Sequence, residues 1–331
     1  MQRIHRTTLG NNSFEQLEPC GAKIELPDLL RWSLTAAYVP LENRRSSTMA
    51  GGRRSTLRGR GIDFDEVRPY QAGDDVRAID WRVTARADQP HTKVFREEKE
   101  RPVLLLIDLR SHLFFGSRRT FKSVLVAHTA ALLSWAALNA GDRIGALIMA
   151  DDGLTEIKPR RNRHALLHIF RKIVTIQNTP KHQLRNTGTE PPPRLLDALR
   201  QLRVVVRPGS CLILISDFSD WDTGCAQAMY PIVRHSQCFA LQVCDALDNT
   251  LPDIGSITLR FGIQILALDT AERGLISRFE QQQNQHQAQL YADWKHLNCA
   301  HLQLDTGADM LPAVRAFFGG RTQSKELSRA V

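Results

Sequence analysis

The stretch VLLLID, residues 103 to 108, is a continuous apolar run that ends in an aspartate. Two later stretches share this design, CLILIS (211–216) and CFALQV (238–243). Strands that are apolar on both faces are typical of a parallel sheet covered by helices on both sides. Three further apolar runs are predicted to be strands: RIGALIM (143–149), GIQILAL (262–268) and HLQL (301–304).

Helical patterns alternate with these strands. A long apolar helix is predicted over residues 119–139, and a second over GCAQAMYPIVRHS, which Pro231 either kinks or ends. A third is predicted over residues 271–297, where Asp269 and Glu272 resemble a capping box. The alternation predicts a doubly wound α/β domain with a mostly parallel sheet over residues 101–320.

The chain outside that domain is predicted to consist of two tails and an N-terminal region, and residues 1–22 are polar and weakly patterned. Residues 1–22 and 321–331 are predicted to be flexible tails. Residues 23–100 are predicted to hold an N-terminal helix, a basic loop and a charged arm. The helix begins near PDLLRWSLTAA, where the proline suits a first turn, and the loop is rich in arginine, serine and glycine.

Composition limits the class of protein. The 331 residues carry 44 Lys and Arg against 35 Asp and Glu, a net charge of +9, which favours acidic partners or serves only solubility. Six cysteines without a CxxC motif indicate a reducing, cytoplasmic setting. The N-terminus lacks a signal-peptide pattern, and residues 124–140 are too short and too interrupted for a membrane span. We therefore expect neither secretion nor membrane insertion.

Aspartates follow two of the predicted central strands. Asp108 ends the first apolar run, and Asp217 follows CLILIS. Because ligand sites in such sheets lie beyond the carboxyl ends of the strands, we expect the two carboxylates to lie close together. Asp220, Asp222 and Asp245 are expected nearby.

The stretch RPYQAGDDVRAIDWRVTAR, residues 68–86, combines arginines, aspartates and one tryptophan. Gly73 with Asp74 and Asp75 predicts a turn. The following VRAIDWRV alternates imperfectly and predicts an extended arm, with Trp81 as a buried anchor rather than a binding hot spot. The charges either fasten this arm or present a defined polar surface to a partner.

Residues 59–111, together with the α/β domain after them, resemble domain-of-unknown-function family fifty-eight over about residues 48 to 318. Members look like a von Willebrand factor A domain behind a signature region. The resemblance implies a von Willebrand A-like, Rossmann-like sheet preceded by an extended N-terminal arm or small β-rich subdomain. It also implies a soluble, non-catalytic adaptor that works with a MoxR-type AAA+ ATPase in assembly, activation or metal insertion of an unknown client protein.

The same resemblance implies a position for a metal ion. Von Willebrand A domains often bind Mg²⁺ or Mn²⁺ through a DxSxS motif and a second aspartate. Here Asp108 and Asp217 match the aspartates, but Arg110 and His112 stand at the serine positions. A guanidinium that pairs with Asp108 would take the cation's place. We therefore predict a degenerate site and no cofactor, with bound Mg²⁺ as the disfavoured alternative, and Thr189 is a weak candidate for the missing threonine.

These expectations define a partner surface and two rival functions. The predicted partner-binding residues are Arg68, Asp74, Asp75, Arg77, Asp80, Trp81, Arg86, Arg110 and His112. A metal-dependent hydrolase built on the aspartates is one rival, which Arg110 opposes. Nucleic-acid binding through the basic segments 44–60 and 159–164 is the other, and it lacks aromatic interleaving. No GxSxG or phosphate-loop motif occurs.

Overall fold

The computed structural model describes residues 18–41, 62–71, 76–87, 89–97, 101–179, 192–252, 255–261, 264–269 and 274–319. Contacts divide the chain into two compact units. The small unit is Ala50–Glu100, and the α/β unit combines Met1–Met49 with Arg101–Val331.

Ten strands lie in the described residues. They are β1 (Ile62–Pro69), β2 (His91–Glu97), β3 (Pro102–Asp108), β4 (Arg143–Ala150), β5 (Gly153–Arg160), β6 (Cys211–Ser216), β7 (Gln237–Cys244), β8 (Ser256–Phe261), β9 (Gln264–Asp269) and β10 (Ala300–Asp305).

Nine α-helices lie in the described residues. They are α1 (Leu26–Arg31), α2 (Trp81–Ala87), α3 (Lys122–Asn139), α4 (Arg163–Asn178), α5 (Leu195–Val205), α6 (Thr223–Val233), α7 (Ala246–Asn249), α8 (Leu275–His296) and α9 (Met310–Phe318).

The α/β unit is built on a six-stranded sheet in the order β10-β7-β6-β3-β4-β5. Five strands are parallel, and β5 pairs antiparallel with β4 at one edge. One core packs α1, α3, α4 and α9 on the first face, and a second core packs α5, α6 and α8 on the other. The predicted fold class, a mostly parallel sheet with helices on both faces, is confirmed.

The predicted continuous apolar strands are confirmed at the centre of this sheet. β6 is buried at every position, and β3 is buried from its second residue onward. Helix α3 is buried along almost its whole length, which explains why its sequence is apolar on all sides. In the part of the chain that the structure describes, no helix combines the length and apolarity needed to cross a bilayer.

The N-terminal boundary differs from the prediction. Helix α1 packs in the α/β unit, where the Trp32 indole donates to His128 Nδ1 at 2.8 Å and the Trp135 indole donates to the Leu29 carbonyl at 3.2 Å. The Glu18 carboxylate accepts the backbone N–H groups of the first two residues of α9 at 2.9 and 3.0 Å. Burial and capping therefore hold residues 18–41 to the α/β unit, whereas residues 1–17 and 321–331 of the predicted tails lie outside the described residues.

Two predicted core elements are wrong in part. GIQILAL was expected in the main sheet, but β9 pairs with β8 in a separate antiparallel hairpin. The helix after it begins at Leu275, behind Gly274 with a left-handed φ of 87°, and not at the proposed capping box. Asp269 is instead the last residue of β9. Pro231 lies inside α6, which continues to Val233, so the proline does not end this helix.

The small unit holds the antiparallel pair of β1 and β2, with a bulge between Phe64 and Glu66, and helix α2, which lies between the two strands in the sequence. The extended arm predicted for VRAIDWRV is wrong, because Val76–Ala78 is a 3-10 turn and α2 begins at Trp81. Asp80 Oδ1 accepts the backbone N–H groups of Arg82 at 2.9 Å and Val83 at 3.3 Å. This is N-cap geometry, which starts a helix where alternation suggested a strand.

Candidate functional site

The carboxyl ends of β3 and β6 bring the two predicted aspartates together. Ile107 pairs with Ile215 in the parallel register. Asp108 therefore lies one residue beyond this pair on β3, and Asp217 lies two residues beyond it after β6. One ligand atom each from Asp108, His112 and Asp217 lies within 4.8 Å of the other two. The expected convergence at this edge is confirmed.

Arg110 bridges two carboxylates at this edge. Its Nε and Nη2 donate to the two oxygens of Asp108 at 3.0 and 2.7 Å, and its Nη1 and Nη2 donate to Asp220 at 2.7 and 2.9 Å. Burial opposes the charge of Arg110, but the hydrogen bonds to Asp220 and Asp108 outweigh it and raise its pKa. Ser216 Oγ also donates to Asp108 Oδ2 at 2.7 Å, so this oxygen accepts from both Arg110 and Ser216. The predicted pairing of Arg110 with Asp108 is confirmed.

Lys122 is a second bridging cation, which the sequence analysis missed. Its Nζ lies 3.0 Å from Asp217 Oδ2 and 3.0 Å from Asp248 Oδ1, and its side chain is almost completely buried. Burial opposes its charge, but Asp217 and Asp248 outweigh burial and raise the Lys122 pKa. Burial also raises the pKa of Asp248, since the contribution of Lys122 does not fully offset it. The one available signal was a lysine at the start of an otherwise apolar helix.

His112 is a partly exposed member of the site, with a side chain that is 32% exposed. Its Nε2 lies 3.3 Å from Asp217 Oδ1 and 3.5 Å from Ser219 Oγ. Burial lowers its pKa, but the hydrogen bond and charge of Asp217 outweigh burial, so the pKa is raised. Burial also opposes ionisation of Asp217, yet His112 and Lys122 hold its pKa well below its usual range.

We call these seven residues the edge network: Asp108, Arg110, His112, Lys122, Asp217, Asp220 and Asp248. A serine protease-like arrangement does not fit it. Ser219 and Asp217 both face the same ring nitrogen of His112, whereas a triad needs the serine and the carboxylate on different nitrogens.

The metal position that the sequence suggested is filled by protein cations. The spacing of Asp108, His112 and Asp217 would allow three ligands to reach one ion. Both Asp108 oxygens, however, accept from Arg110, while Asp217 faces Lys122 and His112. A divalent ion would have to displace a guanidinium that stays protonated. Because both carboxylates are already paired with protein cations, the residues present do not fit Mg²⁺ or Mn²⁺.

The other predicted aspartates have capping roles. Asp222 Oδ1 accepts the Cys225 N–H at 2.9 Å at the start of α6, and its Oδ2 accepts from Arg194 at 2.8 Å. Asp245 accepts from Ser117 and from Thr306 Oγ1, the latter at 2.6 Å, and caps α7. Both lie near the carboxyl edge, and both stabilise the loops that build it.

The predicted partner residues of the arm lie in the small unit. Trp81 is 69% exposed, so its prediction as a buried anchor is wrong. Arg77 and Arg86 are exposed, and Asp80 caps α2. Arg68 Nη1 donates to the Pro69 carbonyl at 3.4 Å. Four predictions lie outside the described residues: Asp74, Asp75, Thr189 and the basic loop 44–60.

Comparison with known sequences gives one family and several relatives. A family model described as "Protein of unknown function DUF58" matches residues 66–289. The uncharacterized proteins Rv1480 of Mycobacterium tuberculosis and Mb1516 of Mycobacterium bovis are each 28% identical to this chain over 270 residues. The alignment covers 78% of this chain and 78% of each relative.

Comparison with solved structures gives weak likenesses. BatB, a conserved hypothetical protein from Bacteroides thetaiotaomicron, aligns with a TM-score of 0.38 and 11% identity, covering 66% of this chain and 96% of BatB. The pilus adhesin SpaC from Lactobacillus rhamnosus GG aligns with a TM-score of 0.36 and 11% identity, covering 68% of this chain and 30% of SpaC. Likenesses at this level say nothing about function.

Proposed function

This chain belongs to the DUF58 family of proteins of unknown function, and on that premise we propose that it is a non-catalytic adaptor working with a MoxR-type AAA+ ATPase. In this proposal its α/β unit is a von Willebrand A-like module. The ATPase supplies the energy, and the chain holds a client protein during assembly, activation or metal insertion.

The observation that carries the proposal is the filled cation position of the edge network. Arg110 and Lys122 each bridge two carboxylates, and both side chains are nearly completely buried. Carboxylates held in this way are poorly placed to act as general bases or metal ligands, because their lone pairs already face protein cations. The arrangement supports a rigid binding surface better than a hydrolytic centre.

Built-in cations also support binding that does not depend on a metal ion. A site that needs Mg²⁺ responds to the local Mg²⁺ concentration, whereas a buried guanidinium is always present and always charged. His112 and Ser219 lie at the accessible side of the network, where a partner would meet it. We therefore propose that partner binding at this edge persists without divalent cations.

The small unit supports a second contact region. Trp81 and Val76 are exposed on its surface, 69% and 60% respectively, with Arg77 and Arg82 exposed beside them in the sequence. Exposed tryptophan among arginines has the residue composition of protein-binding hot spots. This exposure favours the partner-binding alternative for the charged stretch over a purely internal role.

The proposal can be tested by capturing the ATPase with the full chain. The tagged protein and the MoxR-type ATPase of the same organism would be mixed with ATP or with ADP, and recovery of the ATPase would be measured. We expect recovery that depends on the nucleotide. Trp81→Ala should reduce it several-fold, whereas Leu34→Ala, which removes a 73% exposed side chain from the α/β unit, should leave it unchanged.

Two outcomes would contradict the proposal. The first is no ATPase recovered with either nucleotide while nucleic acid co-purifies, which would favour the basic segments 44–60 and 159–164. The second is Mn²⁺-dependent hydrolysis of a phosphodiester that Asp217→Asn abolishes, which would favour the hydrolase.

A further inference from the structure

Helices α5 and α6 lie side by side on one face of the sheet and run in the same direction. At their N-terminal ends, the Leu195 N–H donates to Asp220 at 2.8 Å, and the Leu196 side chain lies against Gly224. At their C-terminal ends, the Gly209 N–H donates to the His235 carbonyl at 2.7 Å. The exposed sides of both helices therefore form one surface, which we call the α5–α6 face.

This face exposes two large apolar side chains. Val204 of α5 is 86% exposed, the largest exposed fraction among the large hydrophobic residues of the described chain, and Tyr230 of α6 is 53% exposed. The opposite sides of the same helices are buried in the core, through Leu199 and Leu202 of α5 and Met229 of α6. The exposed pair is thus presented on a rigid support.

Arginines lie along α5 and just beyond the C-terminal ends of both helices. Arg200, Arg203, Arg207 and Arg234 are all exposed. In the described part of the chain, no carboxylate lies within ion-pair distance of the last three, and Arg200 meets only Asp197, at 3.9 Å between exposed groups. The Arg234 guanidinium lies 6.0 Å from the centre of the Tyr230 ring. Such a surface attracts carboxylates or phosphates.

Helix electrostatics alone explains only part of this pattern. Arginines near helix C-termini interact favourably with the helix dipole, which accounts for Arg203 and Arg234. The dipole does not account for Val204 and Tyr230, whose exposure to water brings no stability. A partner that covers apolar surface and supplies negative charge would account for both features.

We propose that the α5–α6 face is a docking surface for an acidic amphipathic helix of another protein. The partner's apolar side chains cover Val204 and Tyr230, and its carboxylates pair with Arg203, Arg207 and Arg234. An amphipathic helix binds by laying its apolar side against an apolar surface of its partner, and tyrosine and arginine are enriched among the residues that dominate protein–protein contacts. The face belongs to the helical layer and not to the edge network, so this inference does not rest on the proposed function.

The test measures binding of a synthetic peptide to the full chain by fluorescence anisotropy. The probe is a labelled 18-residue helix with leucines on one side and glutamates on the other. A peptide of the same composition in scrambled order and a single-stranded RNA of 18 nucleotides serve as comparison probes. We expect the amphipathic peptide to bind at least tenfold more tightly than either of them.

Three variants connect the binding to this face. Arg203→Glu with Arg207→Glu should weaken peptide binding at least tenfold, through loss of attraction and gain of repulsion. Val204→Ser with Tyr230→Ser should weaken it several-fold at every salt concentration, because the lost contact is apolar. The control, Arg163→Glu with Arg171→Glu, changes the net charge equally on exposed residues of α4 and should leave binding within twofold.

Any of three results would overturn the inference. Equal weakening by the control pair would show attraction to the overall charge of the protein. Equal binding of the scrambled peptide would remove the role of the apolar pair. Tighter binding of the RNA, lost in the Arg203→Glu and Arg207→Glu variant, would assign the face to nucleic acid. Circular dichroism of each variant confirms that the fold is retained before the affinities are compared.

Discussion

The edge network and the helical segment 76–87 of the small unit both combine basic side chains with aspartate, but they differ in burial. In the edge network, Asp108 is completely buried and the Arg110 side chain is only 7% exposed. In the small unit, Arg77, Arg82 and Arg86 are exposed, and Asp80 serves as a helix cap. Similar composition therefore has two different physical consequences.

The two regions differ in burial because the charged groups of the edge network pair with residues from distant parts of the chain. Arg110 reaches Asp220, which lies 110 residues away in the sequence, and Lys122 reaches Asp248 across 126 residues. Buried pairs of this kind are costly to break, because removing one partner leaves an uncompensated charge in the core. Charges on an exposed helix contribute little to stability and stay available to a partner.

The largest predicted effect comes from breaking the buried network. Arg110→Ala leaves Asp108 buried without its cation, and we expect it to lower the free energy of unfolding of the α/β unit by about 3–5 kcal/mol. Arg82→Ala, an exposed arginine of the small unit, should change stability by about 0.5 kcal/mol or less. Urea unfolding followed by circular dichroism measures both. A loss below about 1 kcal/mol for Arg110→Ala would mean that the network is solvated like the exposed segment.

The second prediction is that a double substitution converts the edge network into a metal site. Arg110→Ser with His112→Ser restores a DxSxS pattern after β3 and removes the guanidinium. We expect Mn²⁺ to stabilise this variant by about 2.7 kcal/mol at one hundred times its Kd, and to leave the parent protein unchanged. The rise in Tm with Mn²⁺ measures the effect, and adding Asp217→Asn should abolish it. Equal stabilisation of the parent would show that Arg110 does not exclude the ion.

A third prediction concerns pH, and its effect is smaller because His112 is partly exposed. The groups that face this ring are Asp217, Asp108, Arg110 and Ser219. Because its pKa is raised in the folded state, protonated His112 contributes stability that is fully present below the unfolded value of 6.5 and is lost as pH rises through the folded pKa.

Comparison with His112→Gln isolates this contribution. The difference in Tm between the parent protein and the variant should be largest near pH 5.5 and should decline toward pH 8.5. An NMR titration of the imidazole gives the pKa directly. A difference in Tm that grows with rising pH would contradict the assignment, since it would require a lowered pKa in the folded protein.

The smallest predicted effects belong to the small unit. Asp80→Ala removes the cap of α2 and should cost about 1 kcal/mol of local stability, while Trp81→Ala should cost about 0.5 kcal/mol or less. Amide hydrogen exchange of residues Trp81–Ala87 measures both changes. If Trp81→Ala instead costs about 3 kcal/mol, as the removal of a buried tryptophan would, the contrast between the two regions fails.

Several parts of the molecule could be predicted from particular residues. The runs VLLLID and CLILIS are apolar at every position because their strands are covered on both faces, so local composition alone indicates their place in the sheet. Asp108 and Asp217 were predictable for the same reason, since each follows such a strand. Arg110 stands two residues after Asp108, and its pairing was within reach of a local argument.

Other features could not be predicted in this way. GIQILAL has the composition of a core strand, but its partner β8 decides that it forms a separate hairpin. Tryptophan is a residue type that is usually buried. Here Asp80 caps a helix that begins at Trp81, and the indole is exposed on that helix. In the first case a neighbouring strand, and in the second a helix cap, outweighs the preference of the residue itself.

The sequence by itself determined the α/β class, the central strands and the aspartates at their ends, because burial on both faces of a sheet leaves a continuous local pattern. Only the tertiary structure decided that Lys122 and Asp248 join Asp217, and that Val204 and Tyr230 face solvent among arginines. These features depend on which elements meet in space. The ion pairs of Lys122 join residues that are 95 and 126 positions apart in the chain, and the exposed faces depend on which elements pack nearby, so no local pattern records either feature.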